Sequence, residues 1–328
     1  MMAGFLLGMA DTKVTYSCCV PYDIEPLKKR FPQIKWLPYT QEARLAAVSD
    51  CDVWLGLGGS PFQSVVSDWF TTHLKEEAIL CKMANKPMYF LGIGGQDEAA
   101  YRNPDLKTVI KQAKVIWTRD SLTFHALKSH LDSNQTIHDS SDLSHVLFRS
   151  LTFPNPTLGS LAVCLNFDYK PWKNLKPTIT TLSKDPTFKE HVWLVQESRP
   201  LPEAEYSLHS QLSQEEQKLW KIVPLNHKNN LLNSLSLTWP TTEWVLSSRF
   251  HTAIASSWAG SKTVVLDTNL KLRGIAEALN LNSLGLDSSQ IELDTALHTA
   301  KPASIDLLHF HAKRAQLAVN DFIQLVGV

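Results

Sequence analysis

The stretch Trp244-Val-Leu-Ser-Ser-Arg-Phe-His-Thr-Ala-Ile-Ala255 decides how the rest of the chain is read. A short apolar run hands over to a run of small, helix-compatible residues, with an arginine and a histidine at the handover. Short apolar runs bounded in this way read as buried parallel strands, each delivering its polar residues to the start of the next helix. The same layout recurs upstream, with strands expected at Lys13–Val20, Ile34–Pro38, Asp52–Leu57, Pro87–Ile93, Lys114–Thr118 and Gln135–His138. Downstream of a Pro-, Asn- and Gly-rich break at Leu151–Ser160 it restarts with Leu161–Phe167, Val192–Gln196, Trp244–Ser247 and Thr263–Asp267. Helical stretches lie between them, at Ile24–Phe31, Gln41–Val48, Phe62–Ala84, Leu106–Gln112, Ser121–Leu131, Gln214–Lys221, Arg249–Trp258, Lys271–Leu279 and Gln290–His298. Alternation of this kind specifies an α/β fold with parallel sheets.

Two Rossmann-like, doubly wound domains in tandem are therefore expected, residues 1–152 and residues 153–328, the second ending in a long helix over Ser304–Leu325 that packs back on the first. A doubly wound domain usually opens with a buried strand and a glycine turn. Here Met2–Met9 already reads as a helix, so the first strand is expected to be missing.

Composition narrows the function. The 328 residues carry 32 basic and 32 acidic side chains, which gives no electrostatic case for a nucleic-acid partner. The apolar opening Met1–Ala10 is too short to cross a bilayer and lacks the flanks of a signal peptide, so a cytoplasmic protein without a transmembrane segment is expected. Five cysteines with no CxxC spacing argue against structural zinc and are expected in the core.

In open α/β sheets ligands bind beyond the carboxyl ends of strands, so the strand–helix junctions carry the chemistry. Leu55-Gly-Leu-Gly-Gly-Ser-Pro-Phe-Gln63 places Gly58, Gly59, Ser60 and Gln63 at one such end, as an anion cradle or as a tight turn. Leu91-Gly-Ile-Gly-Gly-Gln96 repeats the layout with Gly94 and Gly95, and the two turns are expected to line one crevice. At Thr118-Arg-Asp-Ser121, Arg119 faces either an anion or a structural ion pair, while Asp120 caps the following helix. At the fourth junction Arg249 offers a bidentate fork and His251 a proton, with Lys271 after the next strand projecting toward the same place. Asp139 or Asp142, at the end of a short strand, faces the cleft or makes a turn, and His309 and His311 lie too close in sequence for an i, i+4 metal pair.

These segments, in this order, resemble the polysaccharide pyruvyl transferases. The likeness rests on Gly56-Leu-Gly-Gly-Ser-Pro-Phe-Gln63, Gly92-Ile-Gly94, Thr118-Arg-Asp-Ser-Leu-Thr123, Ser247-Ser-Arg-Phe-His-Thr-Ala-Ile-Ala-Ser256 and Lys271. It implies a GT-B-like fold and transfer of the pyruvyl group of phosphoenolpyruvate to a sugar of a cell-surface glycan or lipid-linked saccharide as a ketal, with release of phosphate. Carried over, Arg249, His251, Lys271 and Arg119 bind phosphoenolpyruvate, with Arg249 and His251 catalytic and His251 the acid. Gly58, Gly59, Ser60, Gln63, Asp68, Gly94, Gly95 and Asp139 line the acceptor side. No metal or further cofactor enters, and the enzyme works in the cytoplasm or at the inner membrane face in exopolysaccharide and cell-envelope biosynthesis. The sequence departs from the family where an acidic residue is expected after the Phe-Gln turn: Ser64 stands there, and Asp68 is the nearest substitute. Two other readings fit the same junctions: a GT-B glycosyltransferase holding a nucleotide-sugar diphosphate near Arg249 and Lys271, and a relative that binds a glycan without turnover.

Overall fold

Alternating apolar residues in the short strands face two cores at once, one on each side of a sheet. In the computed structural model, which describes residues 1–21, 23–63, 69–130, 135–166, 176–197, 204–225, 239–285 and 287–327, these strands assemble into two α/β units. Unit 1 comprises Met1–Leu147 and His311–Val328, and unit 2 comprises Phe148–Phe310.

In unit 1, strands β1 (Tyr16–Val20) and β2 (Ile34–Pro38) form a parallel pair, and β3 (Trp54–Leu57), β4 (Met88–Ile93), β5 (Ala113–Thr118) and β6 (Thr136–Asp139) form a four-stranded parallel sheet in that order. The period-2 pattern splits its residues between two cores. Phe90 and Ile116 pack beneath helices Trp69–Met83 and Pro104–Gln112, in a cluster with Leu74, Leu106 and Val109. Leu91, Val115 and Trp117 pack on the other face against Phe5, Ala315 and Phe322.

Unit 2 is one six-stranded parallel sheet built from β7 (Thr157–Cys164), β8 (Glu190–Val195), β9 (Trp220–Pro224), β10 (Thr242–Ser247), β11 (Lys262–Leu266) and β12 (Asn282–Leu284), in the order β12-β11-β10-β7-β8-β9. The chain winds outward from β7 to β9, returns to pair β10 with β7, then winds outward the other way. The strand order therefore reverses between β7 and β10, the place where a doubly wound sheet opens a crevice.

Differences from the sequence expectation have simple causes. Strand β12 is three residues long and too short to show a period, and β9 starts at Trp220, inside the stretch Gln214–Lys221 expected as a helix, which ends at Leu219. The helix expected from Phe62 begins, among the described residues, at Trp69, and Phe62 itself bridges to Gly95. The unit boundary falls between Leu147 and Phe148, not at 152/153, because Phe148 packs into the core of unit 2. The C-terminal helix Ile305–Val326 changes unit at His311: its face of Ala312, Ala315, Ala318, Val319 and Phe322 is buried, and four of these complete the second core of unit 1. Of the five cysteines, only Cys81 and Cys164 are buried, while Cys18, Cys19 and Cys51 are half-buried. No helix among the described residues is long and apolar enough to cross a membrane.

Phe322 meets the rings of Phe5, Tyr89 and Trp117 and is 3% exposed, whereas Leu325 on the same helix is 53% exposed. Phe322→Ala is expected to destabilise unit 1 by about 3–4 kcal/mol in denaturant unfolding, and Leu325→Ala by about 0.5 kcal/mol or less.

Candidate functional site

In unit 2 the residues of interest gather at the carboxyl ends of β7, β8 and β10. β10 ends at Ser247, and the helix Phe250–Trp258 starts with Arg249 as its N-cap and with no side-chain cap on its first N–H groups. The loop between them is stitched by serines. The Arg249 N–H donates to Ser247 Oγ at 3.0 Å, the Ser248 N–H to the Cys164 carbonyl at 2.9 Å, and Ser248 Oγ to the Asn166 carbonyl at 2.9 Å. Asn166, just past β7, is 8% exposed, and its side-chain Oδ1 is buried without a hydrogen-bond partner among the described residues.

Glu205, which the sequence analysis did not single out, is the hub of this end. It opens the short helix Glu205–Ser210 beyond β8 and is fully buried. Arg249 donates to it through Nε at 2.7 Å and Nη2 at 3.1 Å, the Glu197 N–H at 3.2 Å, and the Cys164 thiol at 3.7 Å. Burial first, and the Glu205 charge second, push the Cys164 thiol well above its ordinary value, so it stays protonated and donates. Thr252, in the first turn of the helix, donates to Gln196 Oε1 at 3.0 Å and so ties that turn to the end of β8. The one sequence signal for Glu205 is the Pro-Glu-Ala-Glu run 202–205, which marks a helix start; its partner lies 44 residues away.

Arg249 is therefore held by an internal carboxylate rather than offered with its full charge to a ligand. Besides Arg249, the positive groups at this end include, among the described residues, the amino end of the helix and Lys271. His251 is half-buried on the helix, with its Nε2 below the surface and its ring edge-on to Phe250 at 5.3 Å. Lys271, half-buried, sits in the first turn of helix Leu270–Leu279 after β11, the neighbour of β10. The three residues expected together, Arg249, His251 and Lys271, thus lie on two adjacent strand–helix junctions of one unit.

In unit 1 the two glycine turns lie side by side. Gly58 and Gly59 take φ of +60° and +81°, and their segment runs alongside residues 94–96. The Gly94 N–H donates to the Gly59 carbonyl at 3.0 Å and the Gln96 N–H to the Phe62 carbonyl at 2.9 Å. Arg119 crosses this patch. Its Nη2 donates to Ser60 Oγ at 2.8 Å, its Nε lies 3.4 Å from Asp120 Oδ2, and its side chain is 2% exposed. A Cβ on Gly94 would stand 2.3 Å from Arg119 Nε, and one on Gly95 1.8 Å from the Tyr101 hydroxyl, so both glycines are demanded by packing. Asp120 caps its helix, accepting the Thr123 N–H at 2.7 Å.

Several expected ligand contacts are used internally here. The Gly59 N–H, offered to an anion in the cradle reading, points at the Met1 sulfur 2.9 Å away. Asp139 accepts from Ser121 Oγ at 2.9 Å and pairs with Arg314 at 2.9 Å, which anchors the C-terminal helix. Asp142 accepts the Ser144 N–H, as the turn reading has it. Gln63 is buried beside the patch, and Asp68 lies outside the described residues.

No family model matches the sequence, and no curated protein matches it. Solved structures do. HepE from Anabaena in complex with UDP is 14% identical with a TM-score of 0.61, covering 99% of this chain and 95% of its own. UDP-GlcNAc 2-epimerase from Methanocaldococcus jannaschii is 11% identical with a TM-score of 0.62, covering 98% and 96%. MnaA from S. aureus with UDP is 11% identical with a TM-score of 0.65, covering 98% and 91%. At such identities the likeness is one of fold: the chain has the GT-B fold, with two Rossmann-like units.

Arg249→Met leaves the fully buried Glu205 carboxylate without its guanidinium and is expected to cost about 3–5 kcal/mol in denaturant unfolding. Replacing both members, Arg249→Met with Glu205→Leu, is expected to recover most of that loss. Gly94→Ala is expected to cost about 1–3 kcal/mol by displacing Arg119 from Ser60, read by thermal unfolding against the conservative control Gly285→Ala, where a Cβ meets open space.

Proposed function

We propose that the protein is an enzyme acting on a nucleoside-diphosphate sugar, a GT-B glycosyltransferase whose donor diphosphate sits at the β7–β10 end of unit 2. The observation that carries this reading is the uncapped amino end of helix Phe250–Trp258 standing at the point where the strand order reverses. The helix dipole there favours an anion, and Lys271 on the adjacent junction adds charge. In the reaction the bond from the anomeric carbon to the diphosphate oxygen breaks as one to an acceptor hydroxyl oxygen forms, the hydroxyl proton passes to solvent, and negative charge grows on the departing diphosphate. Fixed dipoles and a lysine placed beforehand stabilise that charge with little reorganisation. Glu205 holds the Arg249 fork in one orientation, and Asn166 presents a buried amide oxygen to a donor on the ligand. The UDP bound to HepE and to MnaA, proteins of like fold, supports uridine as the nucleoside.

Pyruvyl transfer from phosphoenolpyruvate to a glycan is the second reading. It is supported by the meeting of Ser60, Gly94 and Arg119, three residues from separate segments of that resemblance, in one hydrogen-bonded patch.

One experiment separates the two: thermal unfolding with UDP, other nucleoside diphosphates, inorganic phosphate and phosphoenolpyruvate, on wild type and on Lys271→Ala. At a hundred times its dissociation constant a ligand adds about 2.7 kcal/mol, a shift of a few degrees. UDP is expected to raise the melting temperature of wild type, with a smaller rise for Lys271→Ala. A shift with phosphoenolpyruvate and none with any nucleotide would transfer the protein to the second reading.

A further inference from the structure

Away from the glycine turns, unit 1 carries an aromatic and polar cluster that neither site uses. It stands between helices Gln41–Asp50 and Trp69–Met83 and reaches Tyr39, just past the carboxyl end of β2. Its floor is built of buried charge. Arg44 Nε donates to Glu77 at 2.7 Å and Nη1 to Glu76 at 2.8 Å, Trp54 Nε1 donates to Glu77 at 2.9 Å, and the Arg44 guanidinium lies 4.6 Å over the Tyr39 ring. The side chains of Arg44 and Glu77 are 9% and 7% exposed, yet Arg44 Nη2 is buried with no hydrogen-bond partner.

The rim is open and aromatic. Trp69 is 47% exposed and Phe70 36%, the two rings edge to face at 4.8 Å, and neither belongs to a core cluster. The His73 ring stacks flat on Trp69 at 5.2 Å and 13°, and the Tyr39 hydroxyl is bonded to His73 Nδ1. Burial raises the Tyr39 phenol and lowers the His73 imidazole, so both are neutral at pH 7. The hydroxyl then donates to Nδ1, which leaves the proton of the imidazole on Nε2 as a hydrogen-bond donor. Glu76, half-exposed at the rim, is an acceptor.

We propose that Trp69, Phe70, His73, Tyr39 and Glu76 form a saccharide-binding platform on unit 1. Each part meets a different need of a pyranose. An exposed indole and phenyl pair accepts the apolar C–H face of the ring, a neutral imidazole donor and a carboxylate acceptor at its edge take hydroxyl groups, and among the described residues of the cluster no group supplies the net positive charge that a phosphate requires. The unmatched donor of Arg44, below the Tyr39 ring, gains its missing acceptor from a ligand hydroxyl or from the water it orders. Trp69 and Phe70 stand exposed on a helix whose opposite face, with Leu74, Ala78 and Cys81, is buried. The inference rests on the reading of the chain as a sugar-handling enzyme and supplies it with an acceptor saccharide.

Saturation-transfer NMR on the full chain, with methyl glycosides of glucose, galactose, mannose and N-acetylglucosamine and with maltose and cellobiose, tests it beside the UDP melting shift. At least one saccharide is expected to bind wild type, to bind Trp69→Ala at least about tenfold more weakly, and to bind Tyr39→Phe with a changed preference among the glycosides. The UDP shift is expected to be the same in all three proteins. UDP binding without any saccharide signal, or a saccharide signal unchanged in folded Trp69→Ala, overturns the platform and leaves the nucleotide-sugar reading standing. Saccharide binding that is lost in Trp69→Ala, with no nucleotide shift in wild type, keeps the platform and overturns the donor assignment.

Discussion

A single carboxylate, Glu205, organises the active end of unit 2. A fully buried charge survives only when its lone pairs are taken up, and here a guanidinium, a backbone N–H and a thiol converge on it from three directions. Donors and acceptor together join the starts or ends of four separate pieces of chain: β7 through Cys164, the loop after β8 through Glu197, the helix carrying Glu205 itself, and the turn after β10 through Arg249. Removing the carboxylate would release all four. The pair is expensive to desolvate, and packing alone could close this end more cheaply with apolar residues. Its presence at a strand-order reversal suits the proposed site for a polar ligand, because it fixes a planar five-donor group in one orientation.

How far the sequence could be read follows from the range of the interactions involved. The parallel strands are local: apolar runs of four to eight residues with a helix on either side, and β2 is found at the very residues expected, Ile34–Pro38. The junction at Ser247–Ser256 is legible for the same reason, since the strand, its cap and its helix are consecutive. Glu205 and Asn166 were not legible. Each gains its meaning from a contact across the sheet, with Arg249 and Ser248, and no local pattern announces a partner 44 or 82 residues distant. The C-terminal helix was legible in its packing on the first unit, which its part from His311 onward makes, while the rings and side chains it meets there are set by contacts distant in sequence.

The glycine turns illustrate how one motif supports two physical uses. A glycine at positive φ suits an anion cradle, and it equally suits a turn that another side chain must cross. In unit 1 the second use prevails in the described residues. Met1 lies against Gly58 and Gly59, Arg119 crosses Gly94, and the Tyr101 hydroxyl meets Gly95. Sequence alone cannot separate these uses, because what fills the space left by the missing Cβ comes from elsewhere in the chain. Arg119 shares the ambiguity: an arginine at a strand end suits an anion, but one whose side chain is 2% exposed and bonded to Ser60 acts first on the protein itself.

The two units therefore divide the work by the kind of polar group each leaves available. Unit 2 ends in an uncapped helix and a lysine, which favour negative charge. The Tyr39–His73 cluster of unit 1 is neutral at its edge and anionic at Glu76, which disfavours a phosphate and suits hydroxyl groups. The proposed transfer of a sugar from a diphosphate to a hydroxyl calls for both environments in one protein, because a charged leaving group and a neutral nucleophile are matched by different polar groups. Two separately cored α/β units meet that requirement with each site supported by its own sheet, and substitutions in one core need not disturb the ligand preference of the other.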